Sequence, residues 1–430
     1  MATRKTKTTA TPRSSGTRPR TPTAHEPVVR RMEEQRWLID NTIRAVGIEW
    51  DQPRLNSYAT ACGPLATGDL NAVRARVQKY ADITPAFEAV ARRREAAARA
   101  ADAQGHRVSA RENYFIASVF WAASQWTLLA NDDHNHHNNQ RKRDAYLAYA
   151  KLADHTVEAA WIPLPGGKRI PGWLHLPYGY RGGKIPAIVS IPGMDGFKEA
   201  NVALYGDRWL SRGIAVLVIE GPGQYESALL GVPFTMTAWA QAGRAAWAWL
   251  AAREEIDPTR IGLLGNSFGS FFATVAAGAE SRYRAVAVSA ICLEPHGETI
   301  FQKASPTFKH RFMYMSGMTD EARFDRMRRS MVLAPSAARI RAPYLCVAGE
   351  RDELCPIEWA DRLMTQLRGP RQLVVYQESR HSVGAVPSTV LGPHPATLVA
   401  DWMLDRLRGL PMEGGRWLVE SNGNVMRAGL

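Results

Sequence analysis

Gly265-Asn266-Ser267-Phe268-Gly269 is the stretch on which the reading of this chain turns. It follows an apolar run, Arg260-Ile261-Gly262-Leu263-Leu264. It precedes Ser270-Phe271-Phe272-Ala273-Thr274-Val275-Ala276-Ala277, which reads as helix. Strand, G-x-S-x-G, helix is the pattern of a nucleophile elbow. A serine hydroxyl is a weak nucleophile, so it must stand clear of the backbone where a base can reach it. A strand that turns at once into a helix presents it that way but crowds the backbone. Gly265 and Gly269 remove the side chains that would collide. The helix N-terminus behind Ser267 favours negative charge developing beside it. Alone, the pentapeptide is also an ordinary strand-to-helix turn in an alanine- and glycine-rich chain, so its partners decide.

For an elbow serine the acid and then the histidine follow in chain order. Downstream, 343–348 reads as a strand, and Gly349-Glu350-Arg351-Asp352-Glu353-Leu354-Cys355-Pro356 follows it. A carboxylate just past a strand end, in a turn closed by proline, suits the acid, and Asp352 is the choice. Glu350 and Glu353 read as solvated turn residues. A second strand, 371–376, leads to Gln377-Glu378-Ser379-Arg380-His381-Ser382. His381 lies on the loop after that strand, from which it can swing back over Ser267. Developing negative charge on a carbonyl oxygen needs two backbone N–H donors. Phe268, the residue after the nucleophile, supplies one. The loop Pro192-Gly193-Met194-Asp195-Gly196, after the strand 187–191, supplies the other, expected at Met194.

Composition limits the alternatives. The chain has 430 residues, 45 % of them hydrophobic, enough for one large domain and an accessory one. No apolar run spans a bilayer and no secretory signal is visible. Cys62, Cys292, Cys346 and Cys355 have no metal or redox spacing, so reduced thiols in a cytoplasmic protein are expected. The first 31 residues hold eight Lys/Arg against one acid, Glu26, and so supply +7 of the net +13. This Thr/Pro/Ser-rich segment has little to bury and is expected to be a solvated, disordered tail, with no nucleic-acid or membrane partner. Asp132-Asp133-His134-Asn135-His136-His137-Asn138-Asn139 invites a metal reading, but its spacing fits no ligand set well. It is expected to be a solvated loop between helices, and neither metal nor cofactor is expected.

Along the chain, residues 28–152 are helical in pattern. Asp69 is a candidate N-cap, and Ser109 with Glu112 fits a capping box. Near residue 157 the pattern changes. A hairpin, 157–163 and 169–177, turns at Gly166-Gly167, and strands then alternate with helices. That alternation predicts a mainly parallel sheet covered on both faces, with ligands at the carboxyl ends of its strands. The domains expected are a basic tail (1–27), a helical cap (28–155), a catalytic domain (156–410, with an insert at 293–340) and a C-terminal tail (411–430). The insert carries Phe301, Phe308, Phe312, Met313, Tyr314, Met315 and Met318. It reads either as a lid forming an apolar pocket or as an embellishment with its own small core. Glu294 and Glu298 open it and are candidate substrate-binding or auxiliary acids.

These pieces resemble α/β-hydrolases of the dihydropseudooxynicotine hydrolase type, related to the fermentation-respiration switch esterases and to fungal polyketide-shortening hydrolases. The resemblance rests on Ser109-Ala110-Arg111-Glu112-Asn113-Tyr114, on Ile162-Pro163 to Pro171-Gly172 and on Pro192-Gly193 to Lys198-Glu199. Arg212-Gly213-Ile214-Ala215, Gly221-Pro222-Gly223-Gln224, the elbow, Asp352 and His381 complete it. It implies an α/β-hydrolase fold with a helical cap over the cleft, often as a homodimer. It also implies hydrolysis of a small-molecule ester or amide, or of a carbon–carbon bond next to a ketone. Glu220 stands where that family usually has Asp, Tyr225 where it has Gly, and Ile116 where a basic residue is expected. A non-catalytic binding protein on the same fold is the alternative, and an intact Ser-Asp-His set argues against it. An extra acid in the cleft, from Glu294 or Glu298, would favour carbon–carbon cleavage.

Overall fold

A computed structural model describes residues 26–204 and 207–429. Ten strands form one sheet: β1 (Val157–Pro163), β2 (Arg169–His175), β3 (Ile185–Ile191), β4 (Ala215–Ile219), β5 (Ile256–Ser267), β6 (Ala285–Ile291), β7 (Tyr344–Gly349), β8 (Arg371–Tyr376), β9 (Gly415–Val419) and β10 (Val425–Ala428). Their order is β1-β2-β4-β3-β5-β6-β7-β8-β9-β10. The pairings from β4 through β9 are all parallel, and antiparallel strands flank them at both ends. The central strands are near-continuous apolar runs because both faces are covered. Side chains alternate between the faces, so Ala187, Val189 and Ile191 enter one core while Ile188 enters the other.

The sheet fulfils the alternating pattern of the sequence, and this is an α/β-hydrolase fold. Chain order reverses at β3, which lies between β4 and β5. Such a reversal opens a crevice at the carboxyl ends of the neighbouring strands. The Met194 loop follows β3 and the elbow follows β5, so the two flank that crevice.

Residues 411–430, expected to be a tail, instead contribute β9 and β10. Gly415–Val419 pairs in parallel with β8, and Trp417 packs against the second core. Its pattern is only partly buried, which is why it does not read as a central strand. At the other end, residues 1–25 of the expected disordered tail lie outside the described residues. Pro27 is already packed, its carbonyl accepting from His310 Nε2 at 2.8 Å, and Val29 is buried.

Ahead of β1 run the helices Arg36–Val46, Arg54–Cys62, Thr67–Arg76, Ile83–Ala103, Arg107–Ser124 and Asp133–Leu152. Their apolar faces, with Ile39, Phe87 and Trp121, join the same core as one face of the sheet. Three local expectations need correction. Asp69 caps nothing: its helix starts at Thr67, and Arg93 and Arg94 hold the buried carboxylate at 2.6 Å each. Ser109 and Glu112 form no capping box, because that helix begins at Arg107. The stretch 132–139 is no loop. Asp132 Oδ1 caps a helix by accepting from Asn135 N at 2.9 Å. Asn138 is buried and donates to Glu88 Oε1 at 2.8 Å, which ties this helix to Ile83–Ala103. No group of three metal-ligating side chains exists among the described residues, nor is any described helix long and apolar enough to cross a membrane.

Candidate active site

β5 ends at Ser267 and the helix Phe268–Ala279 starts at the next residue. The turn forces Ser267 to φ 55°, ψ −128°. Such a conformation is strained for a residue with a side chain and is held only by its surroundings. A Cβ on Gly269 would come within 2.2 Å of the Ile191 carbonyl oxygen, so the elbow sits directly on the end of β3. A Cβ on Gly193 would meet Ser267 Cβ at 2.8 Å and Oγ at 3.2 Å. The Met194 loop therefore lies against the serine, and only glycine permits that approach.

Ser267 Oγ is 2.8 Å from His381 Nε2. His381 Nδ1 faces both oxygens of Asp352, at 3.1 and 3.0 Å. Asp352 Oδ1 also accepts from Leu354 N at 2.9 Å and Cys355 N at 3.0 Å, which fixes the carboxylate at the end of β7. Burial by itself disfavours the charged imidazole. The charge and hydrogen bonds of Asp352 outweigh it, so the His381 pKa is raised. Glu350 and Glu353 are exposed, as expected of turn residues, and both brace the histidine loop. Glu350 Oε2 accepts from Glu378 N at 2.9 Å, and Glu353 Oε2 accepts from His381 N at 3.0 Å. Among the described residues, neither Met194 N–H nor Phe268 N–H has an acceptor. Phe268 follows Ser267 in the chain and Met194 follows Gly193, which lies against the serine, an arrangement that suits two oxyanion donors.

A cavity of about 450 Å³ opens at Ser267 and His381. Its opposite wall comes from the helical segment, through Arg54, Ser57 and Tyr58 of the helix Arg54–Cys62. Arg54 is buried between Asp195 of the Met194 loop, at 2.7 Å, and Asp51. Of the aromatic insert, Phe308 and Ile300 reach the cavity. Phe301 and Phe312 instead pack behind the elbow, with ring centroids 5.8 and 4.6 Å from Phe268. They belong to the main core, so the insert is neither a wholly apolar lid nor a separate small core.

Glu294 and Glu298 do not line the cavity. Glu294 turns back on its own chain, taking Thr299 N at 2.6 Å and Thr299 Oγ1 at 3.2 Å. Glu298 pairs with Arg328 at 2.9 Å on the surface. Nearness in sequence to a strand end does not say which way a side chain turns, and an open helix start gave Glu294 nearer donors. Sequence reading missed Arg54, Tyr58 and Asp195. Asp195 adjoins the donor loop and was open to suspicion. The other two carry no local signal, since only the fold brings their helix over the serine.

Residues 86–331, more than half of the chain, match the model of the FrsA-like esterase family. That match ends before Asp352 and His381, whose case therefore rests on the geometry above. Hydrolase ORFZ of Pyricularia oryzae is 31 % identical over 217 residues, covering 47 % of this chain and 51 % of that protein. The alpha/beta hydrolase xenA of Xenoacremonium sinensis is 34 % identical over 122 residues, 28 % of this chain and 29 % of that one. The similarity thus spans about half or less of these curated relatives. The crystal structure of 2,6-dihydroxy-pseudo-oxynicotine hydrolase superposes with a TM-score of 0.70 at 22 % identity, covering 84 % of this chain and 98 % of that one, which is a likeness of fold. On a family match that runs from the long helices through the elbow to the aromatic insert, the chain belongs to the FrsA-like esterase family.

Proposed function

We propose that the chain is a serine hydrolase that cleaves a small-molecule ester in the cavity between the helical segment, acting as a cap, and the sheet. Ser267 Oγ attacks the substrate carbonyl carbon while His381 Nε2 takes the hydroxyl proton. The carbonyl oxygen becomes an oxyanion, held by the Met194 and Phe268 N–H groups. Asp352 orients the imidazole and stabilises the imidazolium. His381 then gives its proton to the departing alcohol oxygen as the carbon–oxygen bond breaks. Water, deprotonated by His381, repeats the sequence on the acyl-enzyme and frees the acid and Ser267. The observation that carries this reading is the 2.8 Å contact from Ser267 Oγ to His381 Nε2, backed by Asp352.

Cleaving a carbon–carbon bond would also require protonating a carbanion, and an auxiliary acid would serve that step. Glu294 and Glu298 are turned elsewhere, and Asp195, the one carboxylate lining the cavity among the described residues, is ion-paired with Arg54 through Oδ2, its Oδ1 having no hydrogen-bond partner. Ester cleavage is therefore the better supported reaction. Ser267→Ala should lower turnover of 4-nitrophenyl acetate by about 10⁶-fold if the three residues act as a unit. A fluorophosphonate should label Ser267 in the wild type and leave the variant unlabelled. Undiminished turnover or labelling in Ser267→Ala would overturn the assignment.

A further inference from the structure

After β4 the chain runs Glu220-Gly221-Pro222-Gly223-Gln224-Tyr225. Three hydrogen bonds stiffen this turn. Gly221 N donates to Gln224 Oε1 at 2.9 Å, Trp239 Nε1 donates to Pro222 O at 3.0 Å, and Gly223 N donates to Val232 O at 2.7 Å. Gln224 is fully buried. Its Nε2 donates to Pro192 O at 2.8 Å and to Gly193 O at 2.9 Å. Both amide hydrogens are thus used, and the orientation of the amide is decided, because a flip would set Oε1 against two carbonyls. One residue on, Tyr225 Oη donates to Asp195 O at 3.0 Å. The Tyr225 ring is itself fixed: it is buried, edge-on to Phe197 at 5.7 Å, with the Arg311 guanidinium 4.4 Å above it.

We propose that Gln224 and Tyr225 are positioning residues that clamp the loop 192–195 from both sides of Met194 and so set its N–H as an oxyanion donor. The proposal rests on the serine-hydrolase reading. The physical link is the planarity of the peptide unit. In a trans peptide the C=O of Gly193 and the N–H of Met194 point in opposite directions from one plane. No described peptide bond is cis. Holding the Gly193 oxygen from behind therefore aims the Met194 N–H away from Gln224, and that N–H has no acceptor among the described residues. The Asp195 carbonyl, held by Tyr225, fixes the Asp195–Gly196 peptide and so anchors the far end of the loop. Gly193 lies against Ser267, so a small rotation of this loop moves the donor relative to the reacting carbonyl. Neither Gln224 nor Tyr225 lines the cavity, so neither touches substrate. Tyr225 is also where this chain departs from the pattern it resembles, and its hydroxyl is what a glycine there would lack.

The test compares 4-nitrophenyl acetate with 4-nitrophenyl thionoacetate, since sulfur is a poor acceptor and a thionoester draws little from an oxyanion hole. Gln224→Met should lower kcat for the oxoester about 10²-fold, as loss of one such donor does, with KM within a few-fold. The thionoester should suffer less, so the ratio of the two rates contracts about tenfold or more. Tyr225→Phe removes one hydroxyl and keeps the packed ring, and should contract the ratio in the same direction by about threefold or more. It decides the matter even if Gln224→Met does not fold. Turnover that falls with an unchanged oxo-to-thiono ratio in both variants would mean a purely structural role and overturn the clamp. So would a ratio in Tyr225→Phe equal to that of the wild type. Turnover that survives Ser267→Ala would instead sink the hydrolase reading, and the clamp with it. Turnover that needs Ser267 while the ratio stays fixed in Tyr225→Phe removes the clamp alone.

Discussion

Ser267, His381 and Asp352 form a line of contacts whose pH behaviour follows from the Asp352 carboxylate. In the proposed reaction His381 accepts the serine proton only when neutral. Its pKa is raised above the ordinary 6.5, because Asp352 outweighs the opposing effect of burial. The acid limb of kcat/KM should therefore have its midpoint above 6.5, with activity lost as pH falls through it. Asp352→Asn should cut kcat by about 10⁴-fold, and a pH-rate profile of wild type and variant checks both statements. A wild-type midpoint below 6.5 would show that burial wins over Asp352. These three residues were legible in the sequence because each sits in a local pattern: an elbow, a proline-closed turn and a loop after a strand. Their chain order supplied the rest. Gln224 stood in a recognisable Gly-Pro-Gly-Gln turn, but its task depends on a contact to residues some thirty positions upstream. Glu294 shows the opposite case, a suggestive position whose side chain turned to Thr299.

Between elements, the helical segment and the sheet meet at a buried ionic network that hydropathy patterns conceal. Lys142, on the helix Asp133–Leu152, is fully buried, with Nζ 3.1 Å from Glu220 Oε1 at the end of β4. Lys198 Nζ lies 3.0 Å from Glu220 Oε2 and 2.8 Å from Glu226 Oε2. Glu220 Oε2 also accepts from Glu226 N at 3.1 Å. The network thus ties one helix of the segment to the two residues that flank the 221–225 turn, Glu220 and Glu226, and to Lys198 just after the Met194 loop. Burial pushes the Glu220 carboxyl up, and Lys142 and Lys198 more than reverse it, so its pKa is lowered from the ordinary 4.5. The stability this supplies is present above 4.5 and is lost as pH falls through the lower folded value. Lys142→Ala should destabilise the protein by about 3–5 kcal/mol, because Glu199, Glu220 and Glu226 are then left sharing Lys198 and their buried negative charge is no longer balanced. Thermal melting at neutral pH tests this, and a melting temperature equal to that of the wild type would show that Lys142 is dispensable. Lys142 falls within the stretch 28–152 that reads as helical, and no local motif singles it out. Only its placement against two buried glutamates, Glu199 and Glu220, gives it a different meaning.

At the scale of the whole molecule, the proposed reaction draws its chemistry from residues at the ends of the sheet strands and its enclosure from the helices. The alternation of strands and helices exposed the sheet because its period is regular and its strands are apolar throughout. It did not reveal which face the helices ahead of β1 would cover. That depends on how their apolar faces merge with one side of the sheet, a long-range outcome with no local signature. The merger sets the helix Arg54–Cys62 over the cavity, where Ser57 is exposed on the wall facing the elbow. A larger side chain there reduces the space without disturbing buried packing. Ser57→Phe should therefore leave hydrolysis of a short ester, 4-nitrophenyl acetate, within a few-fold of wild type. It should reduce kcat/KM for the octanoate by about tenfold or more, in line with 1–3 kcal/mol for misfitted apolar groups in a pocket. Fluorophosphonate labelling of Ser267 by a small probe should stay near the wild-type rate, which separates loss of space from loss of chemistry. An acetate-to-octanoate ratio identical in wild type and variant would show that the acyl chain leaves by another route. The helical segment would then not be the element that selects the substrate, although the Ser267, His381 and Asp352 chemistry would stand.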